Sequence, residues 1–378
     1  MSYDIPFEIQ AEIMKRLPVR SLIQFRSVSK QWKSLIDSSD FISHYSSQQQ
    51  HLLTRYVNLG SLHPTYLSIV DDHTFPRHRV SLTVPLPVNL LTNYDIIGTS
   101  CGLLCLYSSY QKGRNGPVSG SGMAVIWNLA IRKFVAVGVR NVMFRTVLGF
   151  GVCRESADPK IVKITCRGDG EDVESVVEVF TLSSRAWRNP GTNLPRMSIK
   201  LFGSPVENGC LYWLATDRIA TDGGFNFSNM IVSFDMTSEE FREVNLPDNL
   251  ARWRGFKLSL SKVRESLVVV EDVGHGVEAI WMMDDGVSKS FTKLFTVNVN
   301  TPPAQVRRFR GFRKTGEPII EVVQHNLHGQ LVVYEPDSEH VDELEIDGKK
   351  FSFSVFSYME TLLLLDQPNL MIRYRFLD

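Results

Sequence analysis

The sequence carries no net charge, because 41 basic and 41 acidic side chains balance across its 378 residues. Bulk electrostatics therefore draws it toward neither nucleic acid nor an anionic membrane. It has no uninterrupted apolar run approaching the roughly 18 residues of a membrane-spanning helix, and no basic region followed by an apolar core at its start. A soluble intracellular protein, cytoplasmic and/or nuclear, is the expectation. Cysteine is scarce too: five residues, an odd number, point to a reducing compartment rather than a disulfide framework. Cys101 and Cys105 fall in an apolar run and Cys153, Cys166 and Cys210 in strand-like segments, so all five read as buried thiols.

Complete catalytic and metal-binding motifs are missing as well. The glycine-rich stretch Gly113 to Gly122 lacks the Lys-Ser/Thr ending and apolar helix of a phosphate loop, and reads as a loop between strands. His325 and His328 lie near Glu321, but neither a His-Glu-x-x-His order nor a third ligand accompanies them. Asp284-Asp285 and Glu239-Glu240 sit at turns, where acidic residues serve local hydrogen bonding and solvation. No catalytic residue, cofactor or metal is expected. The composition, 43% hydrophobic and 22% charged, is that of an ordinary globular chain long enough to bury a sizeable core.

What is present is two contrasting regions. From Asp4 to Ile36 the pattern is helical: Asp4 is placed as an N-cap, Pro6 suits a first turn, and Ile5, Ile9, Ile13 and Leu17 recur at four-residue steps. Pro18 ends that helix, Val19, Leu22 and Phe25 mark a second, and Val28, Trp32, Leu35 and Ile36 a third, capped by Ser27 or Ser29. A module of about 35 residues is near or below the size that folds alone, so its apolar surplus needs a cover. Either it packs on the protein's own core or it binds a partner.

Beyond a polar, helix-compatible stretch from Phe41 to Leu53, the helical period gives way to short β-type runs. Apolar-aromatic-polar triplets recur at Ile126-Trp127-Asn128, Val179-Phe180-Thr181, Ser233-Phe234-Asp235, Ile280-Trp281-Met282 and Val333-Tyr334-Glu335. Each is followed by another strand start, at Lys133-Phe134, Ala186-Trp187, Glu240-Phe241, Ser290-Phe291 and His340-Val341. A period near 50 with about four strands per unit is the signature of a kelch-size propeller blade, although two stacked sheets would also match the strand count. Five units span Tyr94 to Asp347, and the leftovers, Phe351 to Leu377 with Tyr66 to Val70 and Val80 to Val84, join as a sixth; a seventh partial blade stays open. The long loops, at Tyr110 to Met123, Gly168 to Glu174, Ala215 to Asn229 and Val299 to Val306, are where specificity for a target is expected.

The N-terminal residues resemble a known family. Ile5-Pro6, Glu12-Ile13, Arg16-Leu17-Pro18-Val19, Ser21-Leu22, the run Phe25 to Lys30, Trp32, Leu35-Ile36 and Asp40-Phe41 are similar to the F-box as plants carry it. Ile5 departs from the more usual Leu, a swap that conserves volume. Farther on, Gly98 to Cys105, Ile126-Trp127-Asn128, Val179 to Leu182 with Trp187-Arg188, Asn208 to Leu214 and Ile231 to Asp235 resemble the F-box-associated domain, departing at Asn128-Leu129-Ala130 where Asn-Pro is usual. The resemblance implies a mainly β protein with a small α module: a three-helix F-box at 1–45, a linker helix at 46–65 leading into the ring, and a kelch-like propeller of six blades at 66–378.

It further implies a substrate-recognition subunit of an SCF-type ubiquitin ligase. Ile5, Pro6, Ile9, Ile13, Leu17, Pro18, Leu22, Val28 and Trp32 would face a Skp-type adaptor, and through it the cullin. The propeller would hold an unidentified target protein, with no nucleic acid or membrane partner. Arg307, Arg308, Arg310 and Arg313, interleaved with Phe309 and Phe312, are either the outward cations of a half-exposed strand or a patch for an acidic or phosphorylated target segment. The alternatives are a propeller-based hydrolase, which would need several carboxylates converging at the channel mouth, and a scaffold that binds the adaptor without turning over a target.

Overall fold

Each aromatic triplet becomes the end of the third strand in a four-stranded antiparallel unit, and six such units close into a ring. The computed structural model describes residues 5–45, 47–89, 94–110, 120–142, 146–167, 174–196, 198–221, 224–252, 257–274, 276–284, 289–298, 306–323 and 328–373. Blade 1 is built from both ends of the chain. Ser354–Met359 supplies its innermost strand, followed outward by Gln50–Val57, Pro64–Val70 and Arg79–Ser81. Blades 2 to 6 then run in order over residues 95–142, 146–188, 199–244, 258–298 and 306–349. The propeller, rather than the sandwich, is the architecture.

Alternation explains why the triplets mark the third strands. Trp127, Phe180, Phe234 and Tyr334 all point into the space between neighbouring blades and are fully buried there. The residue that ends the triplet then turns the chain. Asn128 accepts from Ala130 N and Ile131 N through its side-chain oxygen, at 2.9 and 3.1 Å, and Asp235 does the same for Thr237 N and Ser238 N. An Asx turn thus replaces the proline-shaped turn at Asn128.

Closure is achieved by antiparallel pairing of Gln50 to Arg55 with Met359 to Ser354. This corrects the expectation of a linker helix at 46–65: the helix before the ring ends at His44, and Gln50–Val57 is a strand. The polar run before it hid the signal, yet Leu52, Leu53 and Thr54 are buried once the partner strand from the far end of the chain arrives. Within the leftover Phe351 to Leu377, expected to join the sixth blade, residues 363–366 form turns instead of a strand. Leu370–Ile372 adds in parallel outside Phe134–Val142, covering that edge of blade 2. Residues 215–229, read as a loop, belong to a long hairpin of Cys210–Thr221 with Gly224–Asp235.

Polar stitches cross every seam. Tyr66 Oη lies 2.6 Å from Tyr94 Oη between blades 1 and 2, and Trp187 Nε1 donates to Gly138 O between 2 and 3. Lys160 Nζ donates to Met236 O and Glu239 Oε1 between blades 3 and 4, where Arg188 also reaches Glu239. Glu239 is therefore no solvated turn residue. Burial pushes its carboxyl up, but the two cations outweigh that and hold it below the usual range. Lys262 Nζ donates to Glu207 O, and Phe309 N to Glu278 Oε1. At the 6–1 seam, Arg313 donates from Nε and Nη2 to Asp71 Oδ1, both at 3.1 Å, while Lys314 N donates to Asp71 Oδ2.

Asp71 is fully buried and Arg313 partly so. Removing one member of a buried ion pair leaves an uncompensated charge, at a cost of roughly 3–5 kcal/mol. Asp71→Ala should therefore lower the thermal midpoint by several degrees, and Arg313→Met paired with Asp71→Leu should recover part of the loss, as measured by calorimetry.

Candidate partner-binding surfaces

Four helices precede the ring: α1 (Phe7–Met14), α2 (Val19–Phe25), α3 (Lys30–Ile36) and α4 (Ser39–His44). Pro6 and Pro18 stand immediately before α1 and α2, and Asp4, the expected cap, lies outside the described residues. Ser29 rather than Ser27 caps α3, accepting from Trp32 N at 3.1 Å, and Ser38 caps α4 through Phe41 N. Arg26 holds the turn after α3 with a two-pronged bond to Asp37, Nε to Oδ1 at 2.5 Å and Nη2 to Oδ2 at 2.9 Å.

The helices divide their apolar residues between two directions. Met14, Val19, Leu22, Ile36, Phe41, Ile42 and Tyr45 face inward, in one continuous core with Leu362 to Leu365 and the blade 2 residues Leu103, Ile126 and Val135. Ile5, Ile9 and Ile13, at 52%, 52% and 48% exposure, face outward from the other side of α1, and Val28 is 62% exposed. Pro6 and Pro18 are exposed with them, while Leu17 and Trp32 are half-buried at the border. Trp32 is held there by its Nε1, which donates to Gln10 Oε1 at 2.7 Å, and by the Phe25 ring 5.2 Å away.

Leu22 is the correction to the expected adaptor surface. It is fully buried, in the core that joins the helices to the ring. One stripe of the module's apolar surplus is therefore packed on the protein's own core, and the other is left exposed. A helical period reports that a residue is on an apolar stripe, not which of two stripes meets the ring.

The module is fastened to a defined side of the propeller. In every blade the first-to-second and third-to-fourth connections leave one side, and the second-to-third hairpins and blade-to-blade links leave the other. Asn128, at a third-to-fourth turn, donates from Nδ2 to Thr361 O and Leu363 O at 3.0 and 2.7 Å. Gly102, at a first-to-second turn with φ +74, lies so close to this segment that a Cβ would sit 2.4 Å from Met359 O. Glu360 completes the joint. Burial raises its carboxyl above the usual range, partly offset by the Val19 N–H at the start of α2, and its carbonyl accepts from Ser47 N. The helices thus occupy the side opposite the hairpin tips. The loops expected to carry specificity all depart from that far side, and residues 111–119, 168–173, 222–223 and 299–305 within them lie outside the described residues.

The arginine cluster does not form one patch. Arg310 donates from Nε to Glu321 Oε2 at 2.8 Å, and Arg313 is committed to Asp71 and stacked 4.1 Å from the Phe75 ring centre. Glu321 and Asp71 are fully buried, so both arginines are internal ties rather than target contacts. The side chain of Arg307 lies outside the described residues; Arg308 is exposed. The ties escaped the sequence because Asp71 lies 242 positions from Arg313.

Among the described residues, no group of three or more His, Cys, Asp or Glu side chains is placed to hold a metal ion. His325, Asp285 and most of the glycine-rich loop lie outside them, and Asp284 accepts from Ser290 and Thr292. Cys101 is exposed on its turn, whereas Cys105 and Cys153 are buried. A channel of about 860 Å³ runs between the innermost strands of all six blades. Its described lining includes two carboxylates, Asp95 and Glu207, and Glu207 accepts from Gly209 N while facing Lys262 at 4.0 Å. A bulge between Phe202 and Val206 narrows the passage, and Ser204 Oγ donates across it to Ile96 O.

Comparison with known proteins gives two matches along the chain. The F-box domain matches residues 3–44, and the F-box associated beta propeller domain matches residues 101–364. An F-box protein of Arabidopsis thaliana is 26% identical over 316 residues, covering 77% of this chain and 68% of its own. An F-box/kelch-repeat protein of the same plant is 23% identical over 326 residues, with 78% and 80% covered. Another of its F-box proteins is 24% identical over 393 residues, with 91% and 86% covered. Among solved structures, the parainfluenza virus 5 hemagglutinin-neuraminidase ectodomain overlays 82% of this chain and 84% of its own at 8% identity and a TM-score of 0.45, too loosely to carry an argument.

The division of the helices is testable by stability alone. Leu22→Ala should cost about 2–5 kcal/mol in chemical denaturation, as a buried truncation does. Ile9→Ala should stay within about 0.5 kcal/mol, because its side chain is half in water already.

Proposed function

This chain belongs to the F-box-associated β-propeller family, whose role is that of an SCF substrate receptor, and we propose that it bridges a Skp-type adaptor and a target protein held on opposite sides of one body. The observation that carries this reading is the exposure of Ile5, Ile9 and Ile13, a strip at four-residue steps, together with that of Val28. These four side chains stay exposed although the same helices bury seven others against the ring. Full burial is worth roughly 1.5–3 kcal/mol per aliphatic side chain, so a half-exposed strip of this size holds a substantial reserve for association. Through the adaptor the chain joins the cullin.

The target docks on the far side, where the hairpin tips and blade-to-blade links gather. Catalysis by the receptor itself is not required: holding the target close to the charged ubiquitin-conjugating enzyme raises the effective concentration of its lysines. The two channel carboxylates of the described lining are served by this reading as wall residues, with Glu207 tied into the 4–5 seam. The protein works inside the cell, where ubiquitin ligases assemble.

Purified Skp-type adaptor should be captured by the full chain and lost, by at least a hundredfold in affinity, on Ile9→Asp with Ile13→Asp. The melting temperature of the double variant should stay within a few degrees of the parent. Unchanged capture by a folded variant would refute the assignment of the strip.

A further inference from the structure

On the far side of the ring, where blade 6 returns to blade 1, Phe351 stands in a conformation that its residue type disfavours. It has φ +62, in the left-handed region that favours glycine, and the residue is 43% exposed. The turn is held in place from below. Phe351 N donates to Glu321 Oε1 at 2.5 Å, Ser352 Oγ donates to Lys349 O at 2.6 Å, and Val57 N donates to Ser352 Oγ at 3.1 Å. A bulky aromatic is thereby presented to solvent at a position where glycine would be unstrained.

Two cations attend that ring. The Arg308 guanidinium carbon lies 4.3 Å from the ring centre and the Lys350 Nζ 5.8 Å. Arg310 and Arg313, close by in sequence, each end on a fully buried carboxylate. Arg308 and Lys350 differ: among the described residues neither makes an ion pair. A guanidinium stacked on an aromatic face keeps the donors at its edge directed outward in its own plane, which is the arrangement that receives a carboxylate or phosphate in two parallel bonds. Beneath the turn, Arg55 Nη1 donates to Ser352 O and adds positive potential.

We propose that Arg308, Lys350 and Phe351 form a receptor for an oxyanion on an extended segment of the target, a phosphorylated residue or an acidic side chain, with the exposed ring edge taking the apolar residue beside it. The proposal deepens the reading of the far side as the target-facing side and rests on it. Charge complementarity selects the occupant, since the corner offers two cations that make no ion pair among the described residues, Arg308 acting on Glu278 only at longer range, and an apolar platform, but no acceptor of its own among the three side chains. Phe351 then earns its strained backbone by fixing the plane of Arg308.

The test uses the full chain bound to purified adaptor and three fluorescent peptides of one Gly-Ser-Leu sequence: two serines unmodified, both phosphorylated, or both replaced by aspartate. Anisotropy should show binding of the charged probes at least tenfold tighter than the neutral one. The phosphorylated and aspartate arms distinguish the two sources of the anion. Arg308→Glu with Lys350→Glu should remove that preference, whereas Arg242→Glu on the outer edge of blade 4 should not. Phe351→Gly, which relieves the left-handed residue, should leave the melting temperature unchanged or higher yet weaken the charged probes several-fold. Equal binding of all three probes, or charged-probe binding unaltered in the double variant, would overturn the proposal, as would a Phe351→Gly variant that loses stability and retains probe affinity. Adaptor capture by the unmodified chain is read in the same experiment, so failure of the receptor reading is distinguishable from failure of this corner.

Discussion

The pairing of Gln50–Val57 with Ser354–Met359 is the contact on which the rest depends. It joins strands about 300 positions apart, so the chain must be complete before the ring can close. Once it has formed, the residues that follow cannot stray. Thr361 and Leu363 are gripped by Asn128, Gln367 O accepts from Lys133 Nζ, Asn369 accepts from Phe134 N, and Leu370–Ile372 lies along blade 2. The C-terminal segment is a strap. Its leucines are also the surface on which the helical module rests, so the segment that closes the ring also positions the helices.

How much of this was legible depended on range. The aromatic triplets located the third strand of five blades because alternation and turn chemistry are local, and Asn128 and Asp235 turn the chain with their own side chains. Gln50–Val57 was illegible because a strand containing Gln50, His51, Thr54 and Arg55 becomes buried only through its distant partner. Within the long hairpin, residues 215–229 read as a loop in the sequence because Asp217, Arg218, Asn226 and Ser228 interrupt the apolar pattern, although the backbone pairing runs through all of them. Arg310 and Arg313 read as outward cations or as a binding patch for the same reason. Their carboxylates come from the next strand or the next blade, and no sequence pattern announces a partner at that distance.

The candidate surfaces divided similarly. Ile5, Ile9, Ile13 and Val28 were identified in the sequence and are outward-facing, while Leu22, on an equally apolar stripe, turned out to be core. What the sequence lacked was the position of the ring relative to the helices. That position also gives the functional account its directional content: the adaptor strip and the hairpin tips lie on opposite sides of one body. Within the joint between helices and ring, Tyr45 Oη donates to Leu17 O and Glu360 meets the start of α2.

The central claim, that helices and ring form one rigid bridge between two partners, is tested most directly by a distance. Spin labels introduced as non-canonical residues at Glu12 on the helical module and Asn226 near the tip of the long hairpin report across the whole molecule in pulsed electron resonance. A single narrow distribution, unchanged when the adaptor binds, is the predicted result. A broad or two-peaked distribution, or one that shifts on adaptor binding, would contradict it.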